Sequence, residues 1–321
     1  LNDDGSYTYE ADPNTNPPAD AVDRFVYTIR DGDGDMDSQV LEIDVNNVTL
    51  VASDDDALVN EDGLPGIGSN AGSDSEVFDG SIGVTGGTGP YTYTLTSSAN
   101  GTYGNLVLNA DGSYTYTLDT PYDTTPSANN GEHTEDNRDS FTYTVTDANG
   151  NTTTGTIFVD IIDDVPTAHA DTNMVDEGGS VMGNVLTDGT DDVFGADGQD
   201  PAGGVVGGVA GSNIAVDTAN MVGDQIVIDG LYGTLTLNDD GSYTYEADPN
   251  TNPPEGAVDE FVYTIRDGDG DMDSQLLTID VNAVTLVATD DDALVNEDGL
   301  PGIGTNAGTD SEIFDGEINV T

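Results

Sequence analysis

The chain has no cysteine and no lysine, and its strong cations are four arginines, Arg24, Arg30, Arg138 and Arg266. Without cysteine there is no disulfide staple and no thiol chemistry. With no cysteine and only His133 and His169 as nitrogen donors, a zinc centre is not expected. Against these few cations stand 63 Asp and Glu, for a net charge of -59. Non-specific affinity for nucleic acid or anionic lipid needs a cationic surface, which this composition excludes. No apolar run approaches the ~20 residues of a membrane helix, so no direct membrane insertion is expected of this segment. No N-terminal targeting segment is visible, and if the chain is an internal window of a longer one, that absence says nothing about the export route.

So large an acidic excess usually means disorder. Here the hydrophobic content is 35%, and the apolar residues alternate with Thr, Ser and Asp at a period of two. The chain is strand-forming and acidic together. Carboxylates crowded on a compact fold repel one another, so counter-ions are needed, and divalent ones are the efficient choice. A secreted array without disulfides also needs a staple, which a hard metal such as calcium supplies.

What the chain does have is a repeat. Residues 1–85 return as residues 237–321 at an offset of 236, with 12 differences and no gap. A fixed period this long marks a tandem array. A weaker repeat lies inside it. Leu108-Asn-Ala-Asp-Gly-Ser-Tyr-Thr-Tyr116 echoes Leu237-Asn-Asp-Asp-Gly-Ser-Tyr-Thr-Tyr245, and Asp139-Ser-Phe-Thr-Tyr143 echoes Asp259-Glu-Phe-Val-Tyr263. Each period therefore holds two diverged copies of one fold, type A and type B, in the order A-B-A-B. The expected division is 1–48 (the end of an A unit), 49–162 (a B unit), 163–283 (an A unit) and 284–321 (the start of another B).

The fold reads as all-β. Tyr91–Thr96, Ser113–Leu118, Phe141–Val145 and Thr154–Asp160 alternate with β-branched and aromatic residues. Asn-Asp-Asp-Gly and Asn-Ala-Asp-Gly supply hairpin turns, and no segment shows a capped helical period. Seven or so short strands per unit predict an extended array of antiparallel sandwiches of immunoglobulin or cadherin type. In the D-x-F-x-Y motif, Phe25, Phe141 and Phe261 should face the core. Tyr27, Tyr143 and Tyr263 lie two residues on, where a hydroxyl can turn back to backbone.

The chemical signal is Asp31-Gly-Asp33-Gly-Asp35-Met-Asp37, repeated as Asp267-Gly-Asp269-Gly-Asp271-Met-Asp273. Alternate Asp with Gly between lets a tight loop aim several carboxylates at one point, and calcium takes six to eight oxygens. The alternative is a solvated acidic turn, since Asp and Gly are also default turn residues. The type B loop, Asp147-Ala-Asn149-Gly-Asn, carries less charge and should bind more weakly. The flanking helices and terminal Glu of an EF-hand are missing. A second set of carboxylates sits at the junctions: Asp54, Asp55, Asp56 and Glu61, with copies including Asp291 and Glu297, and at the A entry Asp163, Asp164, Asp171 and Glu177. In a sandwich the loop between the last two strands lies at the N-terminal end. Each loop should therefore meet the linker entering its own unit. Type A would join Asp267, Asp269 and Asp271 with Asp164, Asp171 and Glu177. Type B would join Asp147 and Asn149 with Asp55 and Glu61.

These motifs together (D-G-S-Y-T-Y, then D-x-F-x-Y-T-[VI]-x-D-x-[DN]-G-[DN], then V-D-x-x-D-D-V-P) resemble the cadherin-like VCBS and type I secretion adhesin repeats. Such repeats form extender regions of giant repeats-in-toxin adhesins of Gram-negative bacteria. The resemblance covers nearly the whole chain. It implies immunoglobulin-like units, calcium at the junctions through Asp147, Asn149, Asp267, Asp269, Asp271 and the linker acids, type I secretion to the cell surface, and a role in adhesion or biofilm. Type A departs from simple extenders through Ala202-Gly-Gly-Val-Val-Gly-Gly-Val-Ala210.

No catalytic constellation emerges, and enzyme activity is not expected. Three readings remain: a calcium-rigidified spacer whose partners are adjacent repeats, a matrix fibre formed by self-association, and a carbohydrate- or cell-binding module.

Overall fold

Alternating Thr, Tyr and β-branched residues fill strands because their side chains pack on a pleated surface. A computed structural model describes residues 1–12, 17–18, 20–46, 48–123, 131–285, 292–311 and 313–317. The chain is nearly all-β. A leading hairpin pairs β1 (Ala21–Arg30) with β2 (Met36–Val45).

The type B region contains β3 (Val51–Ala52), β4 (Asp55–Asn60), β5 (Val77–Ser81), β6 (Val84–Thr85), β7 (Thr92–Leu95), β8 (Gly104–Leu108), β9 (Ser113–Leu118), β10 (Thr134–Thr146) and β11 (Thr152–Ile162). One sheet runs β4-β11-β10-β7 and the facing one β5-β9-β8, with β3 paired to β6. The type A region contains β12 (Asp171–Asp176), β13 (Ser180–Asn184), β14 (Val205–Ala210), β15 (Gln225–Asp229), β16 (Gly233–Asn238), β17 (Ser242–Ala247), β18 (Val258–Arg266) and β19 (Met272–Asn282). Its sheets are β12-β19-β18-β14 and β13-β17-β16-β15.

One pairing departs from the antiparallel expectation. The first strand of each unit runs parallel to the last: β4 beside β11, ending at Asn60↔Ile162, and β12 beside β19, ending at Asp176↔Asn282. The chain therefore crosses the whole unit in its first strand. The residue after that strand emerges at the exit end, beside the next linker. The glycine-rich stretch is also resolved. Gly207 and Gly208 lie in β14 opposite Thr264 and Tyr263, after a register shift.

Each unit has its own core. Tyr114, Tyr116, Phe141, Tyr143, Ile157 and Ile161 are fully buried in type B, with Tyr245, Phe261, Tyr263, Ile265 and Ile279 in type A. Burying such a side chain stabilises by roughly 1.5–3 kcal/mol. Phe25 is a correction to the core expectation: it is 47% exposed, because its hairpin carries no facing sheet among the described residues. The tyrosine hydroxyls do turn back to backbone. Tyr143 donates to Ser53 O and Tyr263 to His169 O, both on the segment entering their unit. The two cores meet at one residue, since Ala196 of type A is buried in the type B cluster.

Candidate metal centre

The Asp of D-x-F-x-Y shows how this protein satisfies an ordinary buried carboxylate. Asp139 accepts from the N–H groups of Thr102, Tyr103 and Gly104 and from Tyr116 O–H, at 2.7–3.2 Å. Asp259 accepts from Leu231 and Tyr232 N–H and Tyr245 O–H at 2.7–3.0 Å. The sequence reading gave this Asp no role.

The joint between the type B and type A units holds carboxylates of another kind. Glu61, in the 3-10 turn that follows β4, is carried by the parallel strand to the exit end. There it lies within 4.8 Å of Asp163, on the linker, and Asp197, on the loop before β14. Asp163 lies as close to Asp269 and Asp271, and Asp197 as close to Asp267 and Asp269, all three from the loop between β18 and β19. Three triads thus share Asp163, Asp197 and Asp269 and draw on both units. Glu61, Asp163, Asp267, Asp269 and Asp271 are each at most 3% exposed.

The donors that serve Asp139 are missing here. No protein N–H or O–H reaches either oxygen of Asp163, Asp197 or Asp269, nor Glu61 Oε2 or Asp267 Oδ2. Other carboxylate oxygens lie within 4.8 Å of them. The His133 ring approaches the cluster, with Nδ1 3.9 Å from Asp163 Oδ2. Burial first, and neighbouring carboxylates after it, push Glu61 and Asp267 up to about 8 and Asp163 and Asp197 up to about 9. Buried charge without a partner is among the costliest arrangements in a fold. Unpartnered oxygens from both units, converging without nitrogen or sulfur ligands, fit a hard cation. Calcium's six to eight oxygens in flexible geometry suit this set better than the strict octahedron of magnesium.

Around the cluster, protein donors hold the frame. Asp164 accepts from Ser69 N–H (2.8 Å) and O–H (2.5 Å) and from Ala196 N–H (3.0 Å), tying type B to type A. Gly131 of type B donates to Asp271 Oδ1 at 2.9 Å. Tyr122 N–H fixes Glu61 Oε1 at 2.7 Å. The linker passes so close to Gly195 that a Cβ there would sit 2.6 Å from Asp164 O, so only glycine permits this approach.

The remaining sequence candidates lie elsewhere. Asp31, Asp33 and Asp35 approach one another in an exposed loop, with Asp37 on β2. Asp54 accepts from Thr156 N–H and Asp55 from Tyr114 O–H, so both anchor the start of β4, beside exposed Asp56. Asp147 and Asn149 do not join Asp55 and Glu61, because β4 carries Glu61 to the opposite end of the unit. Asp171 packs against Tyr263 and Asp273 accepts from Ala168 N–H. Glu177 lies at the far end of type A, where its N–H donates to Asn282 O. Thus neither Asp171 nor Glu177 joins the Asp267 loop. Glu297 lies in an exposed 3-10 turn, and Asp291 falls outside the described residues. Asp197 was missed. Its signal was an Asp-Gly pair in a loop of no obvious strand order.

Residues 163–283 match a bacterial cadherin-like domain and residues 46–160 a bacterial Ig domain. Over 244 residues the chain is 30% identical to the calcium-binding lectin RapA2 of Rhizobium johnstonii, covering 72% of this chain and 94% of that protein. Among solved structures, the human desmocollin-1 ectodomain is matched at 10% identity and a TM-score of 0.27, over 86% of this chain and 50% of that one. The mouse clustered protocadherin PcdhgC3 EC1-3 is matched at 14% identity and a TM-score of 0.27, over 85% and 79%. The chain spans about half the length of the desmocollin ectodomain it matches.

Proposed function

Because the chain belongs to the family of the calcium-binding lectin RapA2 and carries bacterial cadherin-like and Ig domains, we propose that it is a calcium-stabilised extender segment of a large secreted bacterial surface adhesin. Such domains fit an extracellular adhesion-type repeat. In this reading the units run over 49–162 and 163–283, with partial units at 1–48 and 284–321, and the array spaces a binding tip from the cell in adhesion or biofilm. The observation that carries the reading is the cluster at the joint, where Glu61 and Asp163 meet Asp197, Asp267, Asp269 and Asp271, and where neither oxygen of Asp163, Asp197 or Asp269 has a protein donor. Calcium there would draw ligands from both units and hold them in one orientation. No enzymatic role is part of the proposal.

The test is X-ray scattering and thermal melting with calcium and with excess chelator. Chelation should shorten or broaden the distribution of end-to-end distances and lower the melting point. Unchanged maximum dimension and melting point would overturn the reading. A second reading, a carbohydrate-binding module, is favoured by the relative's being a lectin. A glycan array probed with calcium present separates the two, since a spacer gives no specific signal.

A further inference from the structure

The joint from type B to type A can be compared, position by position, with the joint from type A to type B. We propose that the array alternates two kinds of joint: one clamped by divalent cations where B leads into A, and one closed without cations where A leads into B. The proposal rests on the functional reading above and divides it between the two joints.

Matching hydrogen bonds set the correspondence. Asp147 N–H donates to Asn151 O at 2.9 Å, as Asp267 N–H does to Asp271 O at 3.1 Å. Ala148 N–H donates to Thr88 O at 2.8 Å, as Gly268 N–H does to Gly198 O at 2.8 Å. Asn149 and Asn151 therefore stand where Asp269 and Asp271 stand, and Gly87 stands where Asp197 does. The parallel strands extend the match to the other side of the joint. Asn60 pairs with Ile162 and Asp176 with Asn282, so Glu177 corresponds to Glu61 and Ala283-Val284 to Asp163-Asp164. The earlier copy of the linker carries Asn47-Val48 at the same positions.

Of the acids that make up the B-to-A cluster, the A-to-B joint keeps only Glu177 and Asp147; donors reach both oxygens of Asp147, whereas they reach only Oδ1 of its counterpart Asp267. Asp147 Oδ1 accepts from Asn149 and Asn151 N–H, each at 2.9 Å. Its Oδ2 accepts from Thr88 N–H and Asn151 Nδ2, each at 3.1 Å. Glu177 Oε1 accepts from Asn252 N–H at 2.8 Å. The space is also filled. A Cβ on Gly87 would lie 2.8 Å from Leu50 Cδ1 and 3.0 Å from Asp147 Oδ2. An Asp197-like carboxylate has no room there, because buried Leu50 packs against the turn and Val48 O accepts from Gly87 N–H at 3.2 Å. Apolar packing and amide hydrogen bonds thus stand in place of the carboxylates that the A-to-B joint lacks. The rigid element of the fibre is then a B–A pair, repeated every 236 residues, and calcium acts on alternate joints.

The test counts calcium ions by calorimetry and equilibrium dialysis on two proteins. One is the chain as it stands, with one B-to-A joint. The other is the chain followed directly by a second copy of residues 86–321, which adds one B-to-A joint and one complete A-to-B joint. Asp269→Asn in the original chain identifies the ions belonging to its joint. Joint-bound calcium should double in the longer protein. A threefold count would show that the A-to-B joint binds as well, overturning the alternation while leaving the functional reading intact. No joint-bound calcium in either protein would overturn both.

Discussion

Asp269→Asn should change stability in opposite directions with and without calcium. Asp269 belongs to two of the three triads at the joint, one with Asp163 and Asp271 and one with Asp197 and Asp267. The substitution keeps the shape of the side chain and removes one charge. With calcium bound, a charged ligand is lost from both triads. A ten- to hundredfold weaker affinity at fixed free calcium corresponds to about 1.4–2.8 kcal/mol of lost stabilisation. Without calcium the same carboxylate is a liability. Two unit charges within 4.8 Å of each other repel by at least about 3.5 kcal/mol at an effective dielectric near 20. Because protons already neutralise part of the cluster, relief of roughly 1–3 kcal/mol is the reasonable expectation. For units of this size, 1 kcal/mol moves a melting point by about 3–5 °C. Scanning calorimetry should therefore find the variant several degrees less stable than the parent in millimolar calcium and several degrees more stable in chelator. A shift of the same sign and size in both conditions would refute the argument, for it would mean that the carboxylate packs or hydrogen-bonds in a way unrelated to a cation.

Three further outcomes follow from the same geometry. Glu61, Asp163, Asp197 and Asp267 titrate in the fold at about 8–9, against about 4 when unfolded, so the folded calcium-free chain holds more protons between these limits. Its stability should be fully present below about pH 4 and fall as pH rises towards 9, by up to about 1.4 kcal/mol per pH unit for each proton held. Calcium should flatten that slope and release protons at pH 7, which calorimetry in buffers of different ionisation enthalpy measures. Asp259→Ala leaves the Leu231 and Tyr232 N–H groups and the Tyr245 hydroxyl without their acceptor, and should cost about 3–5 kcal/mol in urea denaturation, equally with and without calcium. Tyr143→Phe removes the hydrogen bond to Ser53 O, for a loss of about 0.5–1.5 kcal/mol that urea denaturation should find independent of calcium.

The sandwiches were legible in the sequence because their information is local. The period-two runs around Phe141 and Phe261 predict strands, and the Asp-Gly turns predict hairpins; both depend on residues a few positions apart. The acidic loop at Asp267–Asp271 was legible for the same reason. The composition of the site was not, because it depends on where strands run. The sequence places a short strand between Asp54-Asp-Asp56 and Glu61, yet Asp55 and Glu61 read as one cluster at the entry of the type B unit. Six residues form that strand, β4, and a strand advances about 3.3 Å per residue, so Glu61 emerges roughly 20 Å away at the exit. The parallel pairing Asn60↔Ile162 is a long-range fact that no local pattern announces. The same displacement places Glu177 at the far end of its unit, away from the Asp267 loop. Asp197 was hidden for a related reason: its loop reaches the joint only after the β14–β18 pairing has set its direction.

The energetic asymmetry between core and joint explains how a cation can govern shape without governing the fold. Each unit closes over its own aromatic cluster, around Phe141 and Tyr143 or around Phe261 and Tyr263, and its buried Asp139 or Asp259 is served by fixed N–H and O–H donors. Those interactions hold at any calcium concentration. At the B-to-A joint the polar frame is equally complete, with Asp164 bridging Ser69 and Ala196, but inside it neither oxygen of Asp163, Asp197 or Asp269 has a protein donor. The joint therefore carries an internal repulsion that only protons or cations relieve. In their absence, the least costly relief is to separate Glu61 and Asp163 from Asp267 and Asp269, which come from opposite sides of the joint, rather than to unfold either sandwich. Removing calcium should thus loosen the angle between units first and melt the units afterwards, at a temperature set by their cores.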